Sequence, residues 1–453
     1  MFKKIPALIV FITILVPTFA QTPWTLERCV MYAFENNIQI KQSLINAQIT
    51  KNALLQSKAS ILPDLNAGAG YNFNFGSSVD PFTYQFTENN VQSFNANISS
   101  SLNLFSGFRT YNSIQRDKFN WLAQMSNVDR IKNDISLNIA MAYLNILFTQ
   151  EMAANTARQA EAIRLQMERS EKLMQAGSIA RGNYLEVVSQ AATEELQLVN
   201  AQNNYREAIL TMIQLLELDS TAGFSVANPM LDSLTFSPIL PNIDDVFALA
   251  QGMPQVKVSE YNLEYNKRSL RIARSYASPS LALNASYGTG YSDSRKLYEL
   301  LPGTVVPIEK EYPFSDQLND NISTTFGIRL NIPIFNNLQV HAGVSNAKLN
   351  IANAELQLQA TKNQLYKEIQ AAHGDVMAAQ VKYRAAQEAL KASSESFVYT
   401  QQKFEVGMLN ALDYNNAKNA LMRAESELLQ AKYDYIFKYN VLNFYSGLPI
   451  RFN

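Results

Sequence analysis

The sequence predicts an α+β membrane protein in which one structural unit is written twice, each copy giving two β-strands and long coiled-coil helices. Three observations carry this prediction. The chain aligns with itself at two successive offsets, it contains four segments of about ten residues that alternate apolar and polar side chains, and it holds two runs of 68 residues, 109–176 without proline or glycine and 338–405 interrupted only by Gly343 and Gly374. An internal repeat is the first thing to look for, because missing it mis-assigns the fold.

One constant offset matches Gln39 with Gln255, Lys51 with Lys267, Pro63 with Pro279 and Tyr71 with Tyr287. A second, larger offset then matches Phe105 with Phe335, Gly177 with Gly407, Tyr184 with Tyr414 and Leu218 with Leu448. The change falls in a loop that is longer in the second copy (about 292–320 against 77–90). The expected organisation is a signal peptide over 1–20, a first repeat over 21–218, a proline-containing linker over 219–242 and a second repeat over 243–453. The leader follows from Lys3 and Lys4, the apolar stretch behind them and the small residue Ala20 before Gln21.

Composition narrows the function. Of 453 residues only 17% are charged and the net charge is -1, which gives no electrostatic basis for binding nucleic acid. One cysteine, Cys29, excludes a disulfide framework and a cysteine zinc site; two histidines far apart, His341 and His373, exclude a His-rich metal centre. There is no P-loop, HExxH or GxSxG pattern, so no enzyme chemistry, cofactor or metal is expected.

The strands are expected at about 65–76, 92–105, 280–291 and 322–335. In the first, Leu65, Ala67, Ala69, Tyr71 and Phe73 alternate with Asn66, Gly68, Gly70, Asn72 and Asn74. Period two gives one apolar and one polar face, and ~9–11 residues suit a tilted strand crossing a bilayer. The polar faces are Asn, Ser, Thr and Gly, as suits a water-filled lumen. Arg329 falls on such a face and is a candidate lumen residue.

Helical hairpins are expected at about 109–217 and 338–447, turning at Gly177 and Gly407, with shorter helices at about 38–60 and 254–277. A run of 68 residues would span roughly 100 Å. Along the two long helices eighteen apolar residues recur at sevens, from Trp121 to Met174 and from Ile351 to Phe404, each series with one step of four at the same place. Sevens favour a left-handed supercoil that an inserted four locally relaxes.

Four strands cannot close a transmembrane barrel, whose smallest form has about eight. Open sheet edges are not tolerated in lipid, so several chains must share one barrel. Three chains give twelve strands.

In this layout the chain resembles the TolC-type outer-membrane efflux proteins of Gram-negative bacteria. The resemblance covers the whole mature chain. It rests on the doubled layout, the strand ends Leu102-Asn103-Leu104-Phe105-Ser106-Gly107 and Leu330-Asn331-Ile332-Pro333-Ile334-Phe335, and the turns Gln175-Ala176-Gly177-Ser178 and Glu405-Val406-Gly407-Met408. It implies a homotrimer with a shared 12-stranded β-barrel in outer-membrane lipid and a periplasmic α-barrel. It further implies docking to a periplasmic adaptor and to an inner-membrane RND, ABC or MFS pump. The chain would be a passive exit duct of efflux or type I secretion; the alternative is a secreted or surface structural coiled-coil protein.

The resemblance also implies a closed aperture just past the turns. Aspartates six and nine positions beyond the second turn glycine would constrict the pore; here those positions hold Asp413 and Asn416. The first hairpin places Asn183 and Glu186 at the matching sites. A Tyr and an Arg that lock the tip in the family are replaced by Phe404 and Leu409, so closure is expected to rest on packing. Asp413 also suits a helix N-terminus on general grounds.

Overall fold

The structure is a computed structural model that describes residues 23–76, 78–79, 84, 86–87, 90–220, 223–229, 240–299, 302, 308–406, 408–409 and 411–450. The expected leader lies outside the described residues. In chain order the elements are α1 (Leu26–Asn36), α2 (Ile38–Ala59), β1 (Asn66–Asn74), β2 (Ser78–Val79), β3 (Phe86–Thr87), β4 (Val91–Phe105), α3 (Arg109–Gln175) and α4 (Arg181–Leu216). Then follow α5 (Ile243–Ala250), α6 (Pro254–Ser275), β5 (Ser280–Ser292), β6 (Lys296–Glu299), β7 (Ile308–Glu311), α7 (Phe314–Asp320), β8 (Ser323–Asn331), α8 (Gln339–Glu405) and α9 (Ala411–Tyr445). The chain divides into two compact units that cut across the sequence repeats: 42–130 with 252–364, and the remainder.

The first of these units holds the sheet. Its strands run in the order β1-β4-β5-β8, all antiparallel. The register aligns Tyr71 with Phe94 and Tyr291, Ala69 with Ala96 and Thr289, and Leu102 with Leu283 and Ile328 on one face. Asn66, Ser99, Ser286 and Thr325 align on the other. One side of the sheet is therefore apolar and the other is amide, hydroxyl and glycine. Away from the upper end of β5 the apolar side is uncovered, with Phe326 77%, Ile328 69% and Leu330 60% exposed. A patch of this kind on a protein marks a surface that contacts something other than water. The last strand was expected over 322–335 and stops at Asn331. Pro333 has no N–H to give to a ladder, so pairing ends before it.

Four helices of this unit repeat the strand order. Ser57 on α2 donates to Asp117 on α3. Phe119 on α3 meets Tyr261 on α6, ring centroids 6.3 Å apart, with the Arg268 guanidinium over Phe119 at 5.7 Å. Ser259 on α6 lies 3.0 Å from the Thr361 hydroxyl on α8. The layer therefore runs α2-α3-α6-α8. Its end helices leave Ile45, Ile49, Leu349 and Leu356 exposed.

Strand becomes helix through one backbone device used twice. Gly107 and Phe108 have positive φ, 62° and 63°, and Asn337 and Leu338 have 51° and 62°. The repeat aligns these two pairs with each other. Positive φ suits Gly and Asn and strains Phe and Leu. At Gly107 a Cβ would stand 2.5 Å from the Ser278 Cβ, so the close approach also demands glycine.

Beyond the hairpin of β6 and β7, α7 straps the upper end of β5. Past Gly288, β5 has no β8 partner, and side-chain amides take that role. Asn321 donates to the Gly290 carbonyl at 2.6 Å; Gln317, fully buried, accepts from Ser292 N–H and donates to its carbonyl. Phe314 packs on Tyr291 and Phe94.

The second unit is helical. Its core joins α1, α3, α4 and α9 through Leu26, Cys29, Ile139, Tyr143, Met212, Leu216 and Ile436. Burial pushes the Cys29 thiol up to about 12, which makes it an inert core group. Asn37 breaks α1 from α2: its Oδ1 accepts from the Gln39 amide at 2.9 Å and its Nδ2 donates to Leu215 O at 3.2 Å. Within the segment read as a linker, 223–229 is tied down. Trp24 N–H donates to Ser225 O and Ala227 N–H to Trp24 O, both at 2.8 Å, and the Tyr143 hydroxyl donates to Ala227 O at 2.6 Å. None of the eighteen stripe residues on α3 and α8 is exposed; Val128, Ile135, Ile139, Ile146, Ala160, Leu365, Ile369 and Val376 are buried. No described helix is long and apolar enough to cross a membrane.

Candidate functional site

Both hairpin turns end their descending helix with the same 6→1 hydrogen bond. Ser178 N–H donates to Leu173 O at 2.8 Å, and Met408 N–H donates to Lys403 O at 2.8 Å. Gly177 has φ 75°, the left-handed conformation that this cap requires. Gly407 lies outside the described residues. The returning helices then begin differently. Ahead of α4, Ala180 offers no side-chain cap, and its first turn has no acid; α9 carries Asp413 in its first turn, where the helix dipole favours a carboxylate.

Asn183, Glu186, Asp413 and Asn416 are all exposed on the first two turns of the returning helices. Leu409 is half-buried in the turn, while Val406 and Met408 are exposed, Met408 at 76%. Phe404 stacks on Tyr414 with ring centroids 4.7 Å apart and planes 25° apart, and Phe397 meets the same tyrosine at 5.5 Å. The hairpin of α8 and α9 is thus clamped by three aromatic rings directly above its turn. Arg329 lies exposed on the polar face of the sheet, across from Ala282.

The structure adds a residue that pattern reading passed over. Glu194 on α4 is 1% exposed; its Oε1 accepts from the Gln190 amide at 3.1 Å, and its Oε2 has no hydrogen-bond partner. On α9, the half-buried Lys418 ammonium is held below its ordinary range by desolvation, and the Glu194 carboxylate opposes that effect. The signal was available in the repeat, which aligns Glu194 with Ala424, a buried alanine.

A two-faced antiparallel sheet with uncovered apolar side chains, joined to long helical hairpins, defines a β-barrel membrane protein with a helical extension. The model of the family described as outer membrane efflux protein matches residues 31–217 and 248–448. The chain belongs to that family. It is 22% identical over 426 residues to the outer membrane protein TolC of Escherichia coli, covering 91% of this chain and 80% of TolC. It is 21% identical over 434 residues to the alkaline protease secretion protein AprF of Pseudomonas aeruginosa, covering 92% and 83%. In structure it is similar to the CmeC outer membrane channel of Campylobacter jejuni, with a TM-score of 0.77 at 17% identity, covering 94% of this chain and 86% of that one. The fold is TolC-like, and the chain is an outer-membrane exit duct that reaches into the periplasm.

Proposed function

We propose that three copies of this chain close one duct, with twelve strands in the outer membrane and a helical conduit in the periplasm, that opens when partners dock at the hairpin tips. The observation that carries this reading is a shared edge. The sheet ends at β1 and β8, and the helical layer ends at α2 and α8, in the same order. Lipid does not tolerate an open sheet edge, and one rotation of the chain about a threefold axis supplies both missing neighbours. The apolar side chains left on α2 and α8 suit that closure.

At the tips, Asp413 and Asn416 with Asn183 and Glu186 form the constriction. The clamp of Phe404 on Tyr414 replaces an ion-pair lock. The exposed Val406 and Met408 offer an apolar contact to a periplasmic adaptor, and an inner-membrane pump of the RND, ABC or MFS class supplies the energy. The chain itself has no catalytic role. Passage is passive.

Single-channel recording on the detergent-purified protein in planar bilayers tests this. Wild type is expected to give discrete cation-preferring channels of low conductance, and Asp413→Ala to raise the conductance and reduce the preference. Absence of channels from a chain that stays in solution without detergent would overturn the duct.

A further inference from the structure

Across the four strands of the sheet, Arg329 is the single side chain that carries a formal charge. It sits on the polar face, exposed, and no carboxylate lies within ion-pair distance of it among the described residues. It borders a hollow of about 430 Å³ lined by Asn66, Ser99, Ser101, Asn284, Ser286 and Thr325. Asp64 also lines this hollow, but its Oδ1 accepts the Ser101 N–H at 2.5 Å, and the Asp64 N–H donates back to Ser101 O at 3.1 Å. Asp64 therefore pins the start of β1 to β4.

A lone guanidinium among neutral amides and hydroxyls is an unusual choice for a surface that only needs to be wet. Arginine stays charged throughout the physiological range, and its planar fork pairs with carboxylate or phosphate through two hydrogen bonds. Apart from Asp64, whose Oδ1 is taken by the Ser101 N–H, the neighbours are neutral and supply donors and acceptors to the rest of a ligand. Rings of Arg or Lys are the means by which pores favour anions.

We propose that Arg329 forms an anion station in the barrel lumen, three guanidinium groups to a duct, that binds polar organic anions bearing carboxylate or phosphate groups. This rests on the trimeric reading above. In that trimer the β8 of one copy borders the β1 of the next, which brings an adjoining Asp64 to the same region and defines the competing outcome, a permanent ion pair.

The test is citrate, added to each side in turn of wild-type, Arg329→Gln and Arg329→Lys channels in a planar bilayer. Citrate is expected to interrupt the wild-type current from the barrel side. The half-blocking concentration should rise about tenfold or more in Arg329→Gln, which removes all three guanidinium groups where the loss of even one charged hydrogen bond has about that effect, and by less in Arg329→Lys. The current without citrate reports that each variant assembles. Wild-type channels insensitive to citrate, or a block unchanged in Arg329→Gln, overturn the station while leaving the duct intact. A wild-type chain that makes no channel overturns the trimer and the station together.

Discussion

At the second hairpin turn Phe404 stacks on Tyr414; at the first, the repeat puts Met174 in the place of that phenylalanine and Tyr184 in the place of that tyrosine. Higher on α4, Glu194 is buried where the second hairpin buries Ala424. The capping hydrogen bonds of the two turns are nevertheless the same, to the donor, the acceptor and the distance. Backbone geometry has been kept through the duplication, and the side chains packed on it have diverged. The difference assigns the two hairpins different kinds of rigidity: rings at the tip of one, a buried charge higher up the other.

Making the two hairpins alike is expected to have the largest effect. Ala424→Glu puts an uncompensated carboxylate into a packed site and should cost about 3 kcal/mol or more, seen as a large fall in Tm. Glu194→Ala, the reciprocal change, removes a carboxylate with one unpartnered oxygen but also the charge that offsets the desolvation of Lys418, and should change Tm far less than Ala424→Glu does. If Ala424→Glu is harmless, both hairpins accept a buried carboxylate and the difference between them falls.

A smaller effect is expected at the rings. Phe404→Ala removes a half-buried aromatic stack and should loosen the second tip by about 2 kcal/mol, read as faster amide hydrogen exchange over 400–420. Met174→Ala should loosen the first tip by about half as much, because no ring stack is lost. Equal effects would remove the case for a special second hairpin.

The smallest effect concerns Lys418. Its pKa in the folded chain lies below the ordinary 10.5, so the unfolded chain holds more protons between the two values. The desolvation cost is therefore fully present near neutral pH and disappears as pH rises through the folded pKa toward 10.5. Lys418→Met should raise Tm at neutral pH, and the gain should shrink on approach to that value. A gain that is constant with pH would mean that charge plays no part.

Much of the fold was legible because it is periodic. The alternation in the strands and the spacing of seven from Trp121 to Met174 and from Ile351 to Phe404 depend on residue order alone; the strands take the two-faced form that the first implies, and burial follows the second. What escaped was local and chemical. Asn37 splits a helix by offering its side-chain oxygen to the next turn, and α7 exists because Gln317 and Asn321 imitate a strand with their amides; neither has a period to detect. Asn337-Leu338 hides a left-handed pair that Gly107 betrays in the first copy. Glu194 looks like any surface acid on a helix until it is set against Ala424. At the candidate site the residue types were readable, but the ring clamp was not, because Tyr414 meets Phe397 and Phe404 from another helix.

The paired left-handed joints at Gly107-Phe108 and Asn337-Leu338 fix where the chain can change length. Each joint launches a helix of 67 residues whose apolar stripe must keep its heading for the whole run. One residue gained or lost just after a joint would turn everything downstream by about 100° and carry the stripe off its partner. An insertion at the far end of the strands rotates nothing. The offset between the two copies changes across that region and holds constant from the joints to the ends of the hairpins. Divergence in length is thus confined to the connections between strands, and the joints act as the phase reference from which the periplasmic helices are measured.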